Sequence, residues 1–403
     1  MKKELIYLII ILAGTSRVSA QQSSTNVEGS KYQFSKVVSY DATPVQSQGM
    51  TGTCWSFSAL SFLESELIRK GQKNIEPLSE MYIVRKAYEM KAEKYLRMDG
   101  KVNFSEGGAF HDIPLVVDKY GIVPYSAYDG LNGAKSYNHS EMFKDLDREM
   151  KLVLSKIGTE EGVNSDYKNK IAAILDKYLG PEPSAFTVNN QKYDPKIYAN
   201  MLGLKMDDYV SITSFSNHEF NMPCMLEIPD NWAWGKSYNV PLQDLVTITI
   251  EALNKGYTLA WGADVSEKGF SFKNGIAIVP ENSATIEVSG KDNRNFNDAG
   301  ANRMGNAFLS PVKEMKITQE VRQYGYDNKT TTDDHGMHIV GLYTDQNGTR
   351  YFLVKNSWGT SNYPKGYLYV SEAYFKYKTI NIFVHKDAIP GEVKANFSPG
   401  TFN

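Results

Sequence analysis

Hydrophobic residues recur at helical spacing through much of the first 255 residues. The segment that begins at Cys54 carries them at Trp55, Ala59, Phe62, Leu63 and Leu67. Intervals of three to four residues place these side chains on one face of a helix. The Lys70-Gly71 pair is typical of a helix end. The same reasoning predicts further helices over residues 78–97 and 111–119, two within 141–179, and one over 241–253.

The pattern changes to short strands from about residue 256. The runs are rich in β-branched and aromatic residues and are bounded by Gly, Asn or Asp. They read GYTLAWGADV, GIAIV, MHIVGLYTD, YFLVKNSW, GYLYVS and INIFV. Helices that come first and strands that come last predict an α+β fold with a helical lobe followed by a β lobe.

This change of pattern divides the chain into four parts after the N-terminal segment. The predicted parts are a helical lobe over 38–130, a helical insertion over 131–235, a mainly β lobe over 236–395 and a C-terminal tail over 396–403. The insertion contains amphipathic helices and no residue pattern typical of catalysis. We expect it to act as a lid or as packing.

Residues 1–20 have the pattern of a signal peptide. Lys2 and Lys3 precede an apolar run from Leu5 to Ala13, and small residues end at Ala20. The run is much shorter than the roughly 20 residues that cross a bilayer. We expect cleavage after Ala20 and a secreted or periplasmic protein with no membrane contact afterwards. The alternative is an uncleaved anchor.

Composition and charge exclude some partners. The chain has 403 residues, of which 41% are hydrophobic, and its formal net charge is −2. No basic surface is expected that would attract nucleic acid. An exported protein often carries disulfides, but there are only two cysteines, Cys54 and Cys224. A bridge between them would consume Cys54, so we expect a disulfide-free fold.

A loop that contains Gly49 and Gly52 leads to Cys54 at the first turn of the predicted helix. The positive end of the helix dipole favours a thiolate there. Full ionisation of a thiol with a pKa near 8.5 gains only about thirtyfold at pH 7, or roughly 2 kcal/mol. A cysteine peptidase therefore also needs a proton donor and an oxyanion hole. Gln48 and the backbone N–H of Cys54 are placed to supply the latter.

Two motifs near the C-terminus contain the other groups that such chemistry needs. His335 precedes an apolar strand and is the candidate base, and Asn356 is a neutral residue that can orient its ring. Trp358 can cover the hydrogen bond between them. His338 and Cys224 are expected to be structural, and Asp333 and Asp334 to be solvated loop residues.

These motifs, in this order, resemble the papain superfamily, and within it the bleomycin hydrolase and aminopeptidase C branch. The segments that carry the resemblance are Gln48 to Phe57, Gly107-Gly108, Tyr120 to Pro124, Asp230 to Trp232, Asn239 to Leu242, Thr331 to His335 and Asn356 to Gly359. It implies a papain-like two-lobed fold with a large helical insertion. It also implies a triad of Cys54, His335 and Asn356 with Gln48 in the oxyanion hole, Gly107 and Gly108 pairing with the substrate backbone, and Trp358 as the shield.

The resemblance implies a cysteine peptidase that acts on peptides without a metal or other cofactor. An aminopeptidase is the first interpretation of its function. A papain-like endopeptidase and a non-catalytic protein that binds peptides or glycans on a peptidase fold are the alternatives. In the branch, a C-terminal arm enters the cleft and its carboxylate holds the substrate amine, whereas the tail over 396–403 differs from that arm. The sequence leaves the oligomeric state open.

Overall fold

A computed structural model describes residues 24–159, 162, 166–290 and 302–402. The predicted signal peptide lies outside these residues. Within them, no helix is both long enough and apolar enough to cross a membrane.

The described residues form ten α-helices. They are α1 Cys54–Arg69, α2 Glu80–Arg97, α3 Asp112–Tyr120, α4 Ser140–Leu154, α5 Tyr167–Leu179, α6 Pro195–Leu202, α7 Leu242–Asn254, α8 Gln319–Asp327, α9 Glu372–Lys378 and α10 Gly391–Lys394.

Fifteen strands accompany these helices in the described chain. They are β1 Ser35–Ser39, β2 Phe186–Val188, β3 Gln191–Tyr193, β4 Tyr209–Thr213, β5 Met222–Met225, β6 Lys236–Asn239, β7 Leu259–Ala263, β8 Phe270–Ser271, β9 Ile276–Ala277, β10 Glu287–Ser289, β11 Asn302–Met304, β12 His335–Thr344, β13 Arg350–Lys355, β14 Tyr367–Ser371 and β15 Thr379–His385.

One large sheet forms the β lobe. Its strand order is β5-β6-β4-β15-β7-β12-β13-β14-β9-β8, and β1 also pairs with β12. The pairs are antiparallel except for β4 with β6 and β14 with β9. Each of the six strand-like runs of the sequence contains a strand of this sheet. The predicted α+β class is therefore confirmed.

Helix α1 lies between the two lobes. Every residue from Trp55 to Leu67 is buried, although the sequence pattern predicts only one apolar face. Ala260 and Phe383 of the sheet belong to the same apolar cluster as α1 and the other helices of the first lobe. A helix with protein on all sides buries its polar residues as well, and these must find hydrogen-bond partners. Ser56, for example, donates from Oγ to the carbonyl of Glu80 at 3.0 Å.

The prediction of a helical insertion over 131–235 is wrong in its second half. The last helix of the segment, α6, ends at Leu202, and the chain then enters the main sheet as β4. Its short run YVSIT lacks the length and flanking signals that identify a strand from periodicity alone. Pairing of β4 with β15, which begins at Thr379, supplies the hydrogen bonds that hold it in the sheet.

The described tail packs on the β lobe. Phe397 and Phe402 contact each other and the ring of Tyr238 on β6, and the Tyr238 hydroxyl donates to the Thr401 carbonyl at 3.3 Å. Strand β6 is separated from β12, which begins at His335, by β4, β15 and β7. Residues 397–402 are therefore held away from the start of β12.

Candidate active site

Cys54 is the first residue of α1, as the sequence predicts. The residue before it, Thr53, occupies the position from which a threonine usually caps a helix, but its side chain makes no capping hydrogen bond. The Thr53 hydroxyl instead pairs with the Thr51 hydroxyl at 2.6 Å. Because helix geometry gives the first N–H groups no intrahelical acceptor, this end of α1 keeps donors for a negatively charged group.

His335 is the first residue of β12 and lies beside this helix end. The residue after it, Gly336, packs on the first turn of α1. A Cβ at Gly336 would come within 2.7 Å of Ser58 Oγ and 3.2 Å of the Cys54 carbonyl oxygen. A side chain at residue 336 would thus press the strand away from the helix. Because Gly336 has no side chain, its N–H can approach the Cys54 sulfur, where it favours the thiolate.

Asn356 determines which nitrogen of His335 carries the proton. The backbone N–H of Ser357 donates to Asn356 Oδ1 at 2.7 Å, which identifies this atom as the oxygen of the amide. His335 Nε2 lies 2.7 Å from the same oxygen and must therefore be the donor. In a neutral ring, Nδ1 is then the acceptor. Nδ1 is buried and has no hydrogen-bond partner among the described residues.

Trp358 lies over the histidine ring. The ring centroids of His335 and Trp358 are 4.5 Å apart with 32° between the planes. The rings of Phe270 and Phe272 also contact the Trp358 ring, and both are nearly perpendicular to it. This aromatic cover keeps water from the hydrogen bond between His335 and Asn356.

The amide of Gln48 is oriented by contacts at both ends. Its Nε2 donates to the Thr51 carbonyl at 2.7 Å, and its Oε1 accepts from Ser357 Oγ at 2.7 Å. A carbonyl oxygen can only accept, so the nitrogen must face Thr51. This contact uses one of the two Nε2 hydrogens.

Burial opposes an isolated charge on either member of the Cys54 and His335 pair. It raises the pKa of the Cys54 thiol to about 12, although the N–H groups of Gly336 and Trp55 pull the other way. Burial also lowers the pKa of His335 to about 4, against the effect of the Asn356 hydrogen bond. Burial by itself thus favours the neutral thiol and the neutral imidazole.

Gly107 and Gly108 lie next to the loop that leads to the nucleophile. The N–H of Gly52 donates to Glu106 Oε2 at 2.7 Å, and the indole of Trp55 donates to the Glu106 carbonyl at 3.2 Å. The Gly107 carbonyl accepts from the buried ammonium of Lys91. The structure thus brings all seven predicted site residues to one region between the lobes.

Comparison with known proteins assigns the family. The model of the Peptidase C1-like family matches residues 2–289 and 314–401. This chain belongs to the Peptidase C1-like family.

Curated members of this family cover most of the chain. Aminopeptidase E of Lactobacillus helveticus is 23% identical over 88% of this chain and 83% of its own length. Bleomycin hydrolase of Rattus norvegicus is 21% identical over 92% of this chain and 86% of its own length. The predicted resemblance to the aminopeptidase C and bleomycin hydrolase branch is therefore confirmed.

A solved structure supports the fold. The crystal structure of PepW from Lactobacillus rhamnosis HN001 aligns with a TM-score of 0.66 at 18% identity, over 90% of this chain and 84% of that one. The predicted papain-like arrangement of a helical and a β lobe is confirmed at the level of the fold.

Some site residues of this Peptidase C1-like chain were not predicted from its sequence. Ser357 orients Gln48 through its hydroxyl, yet in the sequence it is only the residue between Asn356 and Trp358. A side-chain donor inside a motif gives no pattern that distinguishes it from a spacer. Its role depends on the contact with Gln48, 309 positions away.

A buried lysine holds the loop that leads to His335. Lys378 is fully buried and donates to the Thr330 carbonyl at 2.6 Å, and it forms ion pairs with Asp264 at 3.3 Å and Glu267 at 3.1 Å. Asp264 also accepts from the N–H of Thr332 at 3.2 Å. Burial lowers the pKa of Lys378, but the two carboxylates outweigh it and raise the pKa above its usual value.

A second polar network lies behind Asn356. Lys355 donates to Ser61 Oγ at 2.8 Å, which pairs with His338 Nδ1 at 2.9 Å. These residues line a small pocket that Glu64 and Glu80 also line. His338 thus contacts α1, consistent with the structural role predicted for it.

The second cysteine lies outside this site. Cys224 is buried in β5, and both cysteines are free thiols. Among the residues that the structure describes, no group of three or more His, Cys, Asp or Glu side chains is arranged to hold a metal ion.

Proposed function

We propose that this chain is a cysteine peptidase and that it removes residues from the N-terminus of peptides. The observation that carries the proposal is the hydrogen bond from His335 Nε2 to Asn356 Oδ1. It leaves Nδ1 as an acceptor at the end of α1 where Cys54 lies. The named activities of its relatives, aminopeptidase and bleomycin hydrolase, favour an exopeptidase.

The proposed reaction assigns a role to each of these groups. Nδ1 of His335 takes the Cys54 proton, and the thiolate adds to the carbonyl carbon of the scissile bond. The N–H of Cys54 and Nε2 of Gln48 donate to the resulting oxyanion, which such preorganised donors stabilise. The imidazolium then protonates the leaving amine as the C–N bond breaks and a thioester remains.

Water completes the cycle. Neutral His335 removes a proton from a water molecule, which attacks the thioester carbonyl. The C–S bond breaks and the returned proton restores the thiol. Asn356 and Trp358 act throughout by holding the imidazole ring rather than by touching the substrate.

The first experiment compares the two cysteines. We expect Cys54→Ser to lower kcat/KM for amino-acid aminomethylcoumarin amides by at least about 10³-fold, because nucleophile and base act as a unit. Cys224→Ser is the matched control, and it should retain the activity. Labelling with an epoxysuccinyl inhibitor should be stoichiometric in wild type and Cys224→Ser and absent in Cys54→Ser. Full activity of Cys54→Ser would refute the peptidase proposal.

Paired substrates distinguish the alternatives. An aminopeptidase prefers a free α-amine, so the unblocked amide should react much faster than its N-acetylated form. Preference for the blocked form would indicate an endopeptidase. Labelling at Cys54 without hydrolysis of either substrate would favour a protein that only binds peptides.

A further inference from the structure

The loop that precedes β6 brings a carboxylate to the glycine segment of the cleft. A Cβ at Gly107 would overlap the carboxyl group of Asp230, so this group lies directly against the Gly107 backbone. Asp230 is partly exposed, as are Gly107 and Gly108. A group from outside the protein can therefore approach the carboxylate.

Buried contacts determine the position of this loop. The indole of Trp232, two residues after Asp230, donates to Asp112 Oδ2 at 2.6 Å. Asn231 closes the loop on itself, since its side chain donates to the Gly235 carbonyl at 3.1 Å and accepts from the Gly235 N–H at 2.7 Å. Trp232 and Asn231 are both buried. Asp230 is thus presented by a loop that is anchored before any substrate arrives, which limits the entropy cost of binding.

Two neutral side chains hydrogen-bond to the carboxylate. Asn103 Nδ2 donates to Asp230 Oδ1 at 3.0 Å, and Ser105 Oγ lies 3.4 Å from the same oxygen. These contacts orient the carboxylate. Burial lowers the pKa of Lys91, and the charge of Asp230, together with those of Asp112 and Glu106, opposes this effect. The buried Lys91 ammonium donates to the carbonyls of Ser105 and Gly107.

The carboxylate lies against a segment that contacts the loop before Cys54. Its negative charge helps to raise the pKa of the Cys54 thiol. Gly52, two residues before Cys54, contacts the segment that ends at Gly107: a Cβ at Gly52 would lie 3.6 Å from the Gly107 nitrogen. The α-amine of a substrate is separated from the scissile carbonyl carbon by only one carbon atom, so it lies in this part of the cleft.

We propose that Asp230 binds the protonated α-amine of the substrate and limits the cleft to one residue before the scissile bond. This inference rests on the proposed peptidase function and identifies a residue that determines its specificity. An ammonium group gains a charged hydrogen bond from the carboxylate. A peptide that extends further along Gly107 would have to displace the carboxylate, which already fills the space next to the Gly107 backbone. The same residue therefore attracts free N-termini and excludes blocked ones.

The test compares Asp230→Asn with wild type on paired substrates, an amino-acid aminomethylcoumarin amide and its N-acetylated form. We expect Asp230→Asn to lower kcat/KM for the free amine about tenfold to hundredfold and to leave the acetylated amide unchanged or improved. Asp333→Asn is the matched control, because the Asp333 charge also raises the pKa of the Cys54 thiol. It should leave the ratio between the two substrates unaltered. An unaltered ratio in Asp230→Asn would overturn the inference.

A measurement on the wild type does not depend on how the variant folds. The α-amine of a substrate loses its charge near pH 8. The ratio of kcat/KM for the free amine to that for the acetylated form should therefore fall as the pH rises through this value. A constant ratio would contradict charge recognition.

The two proposals fail in distinguishable ways. If wild type hydrolyses neither substrate, or prefers the acetylated one, the proposed aminopeptidase function is wrong. If wild type prefers the free amine and Asp230→Asn keeps that preference, only the role of Asp230 is wrong. Alkylation of Cys54 by iodoacetamide, a neutral reagent, should proceed at a similar rate in wild type and Asp230→Asn, because the reagent has no amine for residue 230 to bind.

Discussion

At the scale of single residues, the orientation of one amide determines the chemistry of the site. Asn356 accepts from both the Ser357 N–H and His335 Nε2. Because Oδ1 accepts from Nε2, the lone pair that can receive the thiol proton lies on Nδ1. The Gln48 amide is oriented in the same way, by the Thr51 carbonyl, which can only accept. In both cases a backbone group determines the direction of a side-chain dipole.

This reasoning predicts a graded effect of substitutions at Asn356. Asn356→Ala removes the acceptor, so that the His335 ring can rotate or change tautomer, and kcat should fall about hundredfold or more. Asn356→Asp keeps an acceptor oxygen in place and should retain more activity than Asn356→Ala. Steady-state kinetics checks the order, and thermal melts should show similar stabilities. A loss of less than about threefold in Asn356→Ala would contradict this account.

At the scale of elements, loops between strands and helices place the reacting groups. The loop before β12 positions His335, and it is tied at Thr330 and Thr332 to the buried pair of Lys378 and Asp264. Lys378 is the last residue of α9. One buried ion pair thus couples a helix end to the position of the candidate base.

Removal of one member of this pair should destabilise the protein. Lys378→Met leaves Asp264 fully buried without its ammonium partner, and breaking a buried pair in this way costs about 3–5 kcal/mol of the free energy of unfolding. Lys329→Met is the control. Lys329 is an exposed residue of the same loop region whose ammonium lies over the Tyr326 ring, and its loss should cost less than about 1 kcal/mol.

Urea unfolding at constant pH measures both changes, and kcat of the folded Lys378→Met variant should also be lower. Equal stabilities of the two variants would show that the buried pair does not hold the loop.

At the scale of the whole molecule, two lobes share one helix, and the site lies between them. Helix α1 supplies Cys54, whereas β12 supplies His335, and Gly336 permits their close approach. The segment around Gln48 joins the lobes as well, since its N–H donates to the Ser357 carbonyl at 2.9 Å. Displacement of one lobe against the other would therefore separate the thiol from the imidazole.

The stability of the whole chain should depend on the protonation of Glu314. Its Oε2 accepts from the Val279 N–H and from Ser371 Oγ, both at 2.6 Å. Burial raises the pKa of this carboxyl to about 7. A carboxyl with a raised pKa favours the folded state below its unfolded pKa near 4.3, and this contribution is lost as the pH rises through 7.

Glu314→Gln can keep both hydrogen bonds but cannot ionise. The free energy of unfolding of Glu314→Gln minus that of wild type should therefore rise between pH 5 and pH 8, by about 1–3 kcal/mol. Chemical denaturation at several pH values measures this difference. Glu287→Gln, at an exposed position of β10, is the control and should show a constant difference. A flat difference for Glu314→Gln as well would contradict the ionisation of a buried carboxyl.

Local features of this protein could be predicted from its sequence because they depend on residues a few positions apart. Helical spacing predicted α1 and α7, and short runs of β-branched and aromatic residues predicted β7, β9 and β12 to β15. The two glycines before Cys54 likewise predicted a loop that ends at a helix. The same local argument failed for β4, whose strand character depends on pairing with β15.

Only the tertiary structure decided which distant groups meet. Asp230 lies on Gly107, Lys378 pairs with Asp264, and Ser357 orients Gln48, although each pair is more than a hundred positions apart. No periodicity in the sequence encodes such contacts, because they depend on how complete elements pack. The sequence by itself thus determined the elements and the candidate nucleophile, base and orienting amide. The packing of two lobes around α1 decided how these groups face one another and which carboxylate faces the cleft.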